Sequence, residues 1–401
     1  MGISIKQLGP GLLYAGAAVG VSHLVQSTRA GASYGLIMIA VVITANVLKY
    51  PFFKAGPIYA AQSGKSLLEA FHEEGKLAMA LFYIATIGTM FAVQAGVTLI
   101  TASVVSSIFC LSLPLWQVSA GILAICFSIL VIGKYKWLNG IIKWVILLLS
   151  VTTLITLIAA FAQPVEKAVE SIAFDFSNTV DVLFLIALVG WMPAPLDISL
   201  WHSEWTLADL HKKSVPTALL DFKIGYWGTT LLAIVFIALG SLILRGSDET
   251  LSSSGAVFAS QVIGMYTTTL GDWAFAIVAT AAFTTMFSTT LTVLDAFPRV
   301  LDKAIGLSFN KPVGKSYVWL LLVTILGALT VLIYLMENMK QLIDLATSIS
   351  FITAPILAFL MLKVCWKNKA VLNYFSKSEH VIAFAGFGFL IAFSLLYLYL
   401  G

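Results

Sequence analysis

The polar residues that stand out lie where lipid-crossing segments should have none. A glycine, a serine and a histidine fall within four residues at Gly20, Ser22 and His23, inside the first long apolar run. A second interruption runs from Gly190 through Met192, Pro193 and Pro195 to Asp197. Farther on, a hydroxyl-rich run from Thr284 to Thr292 contains Ser288 and Thr289. Imidazole, thioether, carboxylate and hydroxyl groups hold ions and polar solutes. No nucleophile–base pair and no phosphate-cradling loop accompanies them, so the chemistry is that of binding and the chain is not expected to be an enzyme. No cofactor motif is present.

Those residues have to be held by membrane helices. Of 401 residues, 60% are hydrophobic and only 10% charged, against about 25% charged in soluble chains. Runs long enough to cross a bilayer recur throughout. About eleven spans are predicted, near 9–30, 35–58, 77–108, 115–133, 138–162, 179–203, 219–244, 267–297, 316–336, 341–363 and 380–400. The first leads into a full span rather than a cleavable signal. With the N-terminus inside, the inner loops collect most lysines, among them Lys65, Lys76, Lys303, Lys367 and Lys377, while Lys167, Arg245 and Lys340 fall outside. That asymmetry predicts N-in, C-out in a bacterial inner membrane. The net charge of +4 follows from those loops and requires no nucleic acid; the partners are the lipid bilayer and a small ion or molecule.

The interruptions fall in spans 1 and 6, which hold matching places in two five-span halves. An odd number of spans per half inverts one half relative to the other. Paired prolines cannot sit in an unbroken helix, and broken helices at equivalent places in inverted halves point to a midplane transport site. We therefore expect one polytopic domain over 1–401, with repeat 1 about 9–163, repeat 2 about 179–365 and an extra helix about 380–400.

Particular motifs resemble the NRAMP divalent-metal transporters. Gly9-Pro10-Gly11-Leu12-Leu13 is similar to that family's GPGFL, and Ala30-Gly31-Ala32-Ser33-Tyr34-Gly35 to its AGAQFG. Met192-Pro193 resembles its helix-6 Met-Pro-His, and His202-Ser203 its later His-Ser. The resemblance implies an all-α, leucine-transporter-type fold, a 5+5 inverted repeat with helices 1 and 6 broken, and a secondary-active transporter whose substrate lies between the breaks. It also exposes departures. The family's metal-binding Asp-Pro-Gly-Asn is replaced by Gly20-Val21-Ser22-His23, and the helix-6 histidine by Ala194.

Losing the helix-1 carboxylate removes the charge that offsets desolvation of a dication. His23, Met192 and Asp197 form a replacement metal-ligand set that favours later transition metals, with Gly20, Ser22 and Gly190 as further substrate contacts. The plain alternatives are a histidine bonded to a neighbouring carbonyl, a core-filling methionine and a structural ion pair for Asp197. In the shared fold, the helix carrying Ser288 and Thr289 supplies hydroxyls to sodium, although hydroxyls also pack well between membrane helices. Segment 3 carries Gln94 in place of a carboxylate, so a proton route would fall to Asp344. The alternative function is a Na+-coupled carrier of a small organic or anionic solute, which Arg29 favours. Lys54 is expected to snorkel to the interface, Asp295 and Arg299 to form a local ion pair, and Cys110, Cys126 and Cys365 to be buried. His72, His202 and His211 carry no metal-cluster spacing.

Overall fold

Apolar runs this long leave the backbone no partner but itself, and the chain answers with helices. The computed structural model describes residues 9–133, 135–162, 174–209, 214–244, 251–334 and 339–400; Lys167, Arg245 and His211 lie outside them. Span 1 is α1 (Pro10–Ala18), a π-helical turn over Val21–Ser27, and α2 (Thr28–Tyr34). Spans 2 to 5 are α3 (Met38–Ser63), α5 (Lys76–Phe109), α6 (Leu115–Ile132) and α7 (Tyr135–Phe161), with the short α4 (Leu67–Glu73) between the first two. Span 6 is split into α8 (Thr179–Gly190) and α9 (Ile198–Asp209). Spans 7 to 10 are α10 (Val215–Leu239), α12 (Ala274–Phe309), α13 (Tyr317–Tyr334) and α14 (Met339–Lys367). The last is α16 (Lys377–Leu400), after the one-turn α15 (Lys369–Leu372).

Helices group by position in the halves. Spans 1, 2, 6 and 7 pack on one another through α1 on α10, α3 on α9 and α3 on α10. Spans 3, 4, 8 and 9 form a second group around α5, with α12, α6 and α13 against it. Each group takes matching members of both halves, as an inverted repeat requires. α14 lies between the groups, touching α5 and α8, and α16 packs outside it.

Close approaches depend on missing side chains. At Gly11 a Cβ would stand 2.1 Å from the Asp221 carbonyl oxygen, and at Gly225 it would stand 2.3 Å from the Gly11 carbonyl oxygen. The same junction is pinned by the Asp221 carboxylate, which accepts from the Gly9 N–H at 3.2 Å and the Gly11 N–H at 3.0 Å. This is why the opening Gly-Pro-Gly begins a helix there: its free N–H groups meet a carboxylate.

Three expectations need correction. Span 8 starts at Ala274, not near 267, because Gly271 (φ +96°) turns the chain and residues 255–270 form a separate helix, α11 (Gly255–Leu270). Lys54 does not snorkel: its ammonium is buried, 2.7 Å from Glu379 and 2.7 Å from the Tyr374 carbonyl, so a neighbouring carboxylate replaces water. Cys110 is exposed, because it ends α5 in a left-handed turn, whereas Cys126 and Cys365 are buried. The Asp295–Arg299 pair is present, at 2.7 and 3.0 Å.

The α1–α10 junction gives a first test. Gly11→Ala is expected to destabilise the protein by about 1–3 kcal/mol through overpacking. Gly228→Ala, on the same α10 with open space at the added methyl, leaves stability unchanged or raised. Thermal unfolding in detergent checks the pair, and equal melting of the two variants would contradict the packing described.

Candidate functional site

Among the described residues, spans 1 and 6 stop short inside the bundle, and they stop beside each other. α1 ends at Ala18, and Val19 and Gly20 leave the helix. Ser22 and His23 sit in the π-helical turn, so the irregular backbone of span 1 is confined to Val19–Gly20. In span 6 the seven residues Trp191–Asp197 are non-helical, and Trp191 donates its indole N–H to Ser350 at 3.0 Å. Between the breaks lies a cavity of about 20 Å³, lined by Ala17, Ala18 and Ser22 from span 1, Trp191 and Pro195 from span 6, and Thr289 from α12. That is room for one water or one bare ion.

The sequence-predicted residues are placed as follows. Gly20 lies against α12: a Cβ there would stand 2.9 Å from the Thr289 hydroxyl. Ser22 reaches the Ala18 carbonyl and the His23 Nδ1, each at 2.7 Å. His23 Nε2 lies 3.0 Å from the Thr229 carbonyl of α10; a carbonyl only accepts, so Nε2 carries the proton. Nδ1 is then an acceptor, and the single Ser22 hydroxyl hydrogen serves either it or the Ala18 carbonyl. Met192 is fully buried, and its sulfur meets Ser27 of the π turn at 4.0 Å, joining span 6 to span 1. Gly190 packs on α14, where a Cβ would stand 2.5 Å from the Thr347 carbonyl oxygen. Asp197 opens α9, its carbonyl accepting from the Leu200 N–H at 3.0 Å, and its Oδ2 is buried without a hydrogen-bond partner. The positive end of α9 favours a carboxylate at that place. Among the described residues no three His, Cys, Asp or Glu side chains converge into a metal cluster.

Oxygen atoms do converge elsewhere. The Thr289 hydroxyl lies 3.2 Å from the Gly16 carbonyl, 3.3 Å from that of Val19 and 3.1 Å from that of Thr285. One hydroxyl hydrogen serves one carbonyl at a time, and Gly16 is in the last turn of α1, where carbonyls lack helical partners. The neighbouring Ser288 hydroxyl is buried and has no partner, but it does not line the cavity. Such an all-oxygen set suits a hard cation.

Toward the end bearing α2, Arg29 makes two bonds to Asp344 of α14, at 2.8 and 3.1 Å. Gln26 completes the knot, accepting from Arg29 at 2.8 Å and donating to Asp344 at 3.2 Å. Above it opens a cavity of about 490 Å³, lined by Tyr34, Phe184, Lys340 and Tyr397 among others. Gln94 donates to Thr98 and reaches the Thr290 carbonyl, while its Oε1 is buried without a partner.

Sequence reasoning gave Lys49 no role. The structure buries it to 1% exposure and sets its ammonium 2.5 Å from the Val189 carbonyl and 3.1 Å from that of Gly190, at the end of α8. A lysine in mid-span was the available signal, since such a charge is costly and functional by default.

Known proteins agree with this architecture. The Nramp family (natural resistance-associated macrophage protein-like) matches residues 11–400. An uncharacterized protein of Pasteurella multocida (strain Pm70) is 34% identical over 369 residues, covering 90% of this chain and 85% of that protein. Among solved structures, the Eremococcus coleocola manganese transporter superposes with a TM-score of 0.71 at 12% identity, over 97% of this chain and 85% of that one. MhsT, solved in complex with L-phenylalanine, superposes with a TM-score of 0.66 at 16% identity, over 99% and 98%. Matched along almost its whole length, this integral, multi-pass membrane protein belongs to the Nramp family, a family of transporters and not of enzymes.

Proposed function

We propose that this secondary-active transporter carries a metal cation through the paired breaks of spans 1 and 6, with sodium as the coupling ion. The observation that supports it most is the convergence of the Gly16, Val19 and Thr285 carbonyls on Thr289, directly beside the cavity between the breaks. The Nramp family match and the fold of the manganese transporter favour a metal as cargo. In this reading Met192, the carbonyls at Gly20 and Gly190, Ser22 and Asp197 supply the contacts. His23 joins as a ligand only if its imidazole leaves the Thr229 carbonyl. The amino terminus faces the cytoplasm of a bacterial inner membrane, with the lysine-rich ends inside. The Arg29–Asp344 knot then closes the outer path, and the pairing of Asp344 with Arg29 speaks against a proton route through it.

A second reading is a Na+-coupled carrier of a small organic or anionic solute. The lining of the cavity favours it, because Ala17, Ala18, Val93, Val97, Trp191 and Val293 are apolar. Calorimetry of the purified protein with Mn2+, Co2+, Ni2+ and Zn2+ separates the two. Binding tighter than about millimolar by any of them supports a metal cargo, and its absence both from the wild type and from a variant without the buried Lys49 ammonium gives the solute reading its place.

Coupling is tested in proteoliposomes. Uptake is expected to require Na+, and Thr289→Val to weaken that dependence by removing one cation ligand while keeping the side-chain shape. Transport indifferent to Na+ would remove sodium from the account.

The outer knot is tested by a double-mutant cycle on Arg29→Ala and Asp344→Ala, read by unfolding. A coupling of about 1 kcal/mol or more is expected for a bidentate, half-buried pair. Additive effects would mean that the two residues do not hold span 1 to α14.

A further inference from the structure

Lys49 stands in the middle of α3 and points at the end of α8, where the Val189 carbonyl also accepts from the Met192 N–H at 3.2 Å. Its ammonium contacts the Val189 and Gly190 carbonyls, and the Phe351 ring of α14 lies 5.4 Å from it, on the cation-binding face. Among the described residues no carboxylate pairs with it. Lys54, five residues on, has Glu379; Lys303 has Glu69 and Glu204; Lys363 and Lys367 share Glu74. A buried ammonium without an acid is stable only where dipoles replace water. The C-terminal end of α8 supplies them, since its last carbonyls carry the negative end of the helix. Chemically, the amine sits as a metal ion would sit on the same two oxygens.

We propose that Lys49 determines cargo specificity: its ammonium is a tethered cation that occupies the Val189–Gly190 carbonyl pair in competition with the cargo. This inference rests on the metal-cation reading of the site. With the helix-1 carboxylate replaced by Gly20, Asp197 is left as the anionic ligand of the site, and the Lys49 ammonium adds a positive charge at the span-6 break. A divalent ion must then displace the ammonium to use the span-6 carbonyls, and it is repelled while the ammonium stays. The consequence is a site that binds dications weakly by construction and admits only those for which the thioether of Met192 compensates.

The experiment removes the competitor. Mn2+ and Co2+ are titrated calorimetrically into the purified full-length protein and into Lys49→Met, Lys49→Gln and Lys49→Arg. Lys49→Gln keeps a donor for the carbonyls and serves if the methionine variant does not fold. The neutral variants are expected to bind at least about tenfold tighter than wild type, from loss of a like charge at close range, whereas Lys49→Arg stays near wild type. Wild-type metal binding that folded neutral variants leave unchanged or weaken overturns the role of Lys49 alone. Failure of the wild type and every folded variant to bind either metal overturns the metal reading and this inference with it.

Discussion

The whole arrangement depends on how backbone groups are paired where a helix stops inside a membrane. Hydrocarbon offers no hydrogen bonds, so each carbonyl released by a break must find a partner or line a cavity. Here the partners are side chains, most of them reaching in from other spans. Thr289 of α12 serves the end of α1, Ser22 serves Ala18, and Lys49 of α3 serves the end of α8. Asp197 starts α9 through its backbone carbonyl, while its Oδ2 stays without a partner. The residues that satisfy the breaks are thereby the residues best placed to bind an ion, and the structural and functional roles fall on the same atoms.

This pairing also explains which neighbours are small. Gly20 lets α12 bring Thr289 against the first break, and Gly190 lets α14 close on the second. An aspartate at Gly20, which would restore the family's carboxylate, meets Thr289 before it meets an ion. The altered helix-1 motif and the oxygen set on α12 are therefore coupled features of one packing solution. At the outer end, Arg29 and Gln26 extend the same helix into a knot with Asp344, so movement of span 1 is felt both at the break and at the large cavity.

Much of the fold was legible because hydropathy and proline are strong signals. The spans followed from apolar length, and Pro193 and Pro195 marked the second break. The hydroxyl-rich run of α12 was visible in the sequence, and the resemblance to the shared fold singled out Ser288 and Thr289 within it. Other features had no local signal. A π turn over Val21–Ser27 differs from an α turn by hydrogen bonds alone, and the engagement of His23 depends on a carbonyl some two hundred residues away. Lys54 was misread because its partner, Glu379, is equally remote. The separation of α11 from α12 could have been read from Gly271, but the apolar flanks on both sides masked it.

The claim on which the rest stands is that the two breaks together form the cargo site. Anomalous diffraction from crystals of the protein soaked with Mn2+ or Co2+ tests it most directly. The account predicts an anomalous peak between Gly20 and Gly190, within bonding distance of the Met192 sulfur. A peak confined to Asp344 in the outer cavity, with none between the breaks at saturating metal, would contradict it.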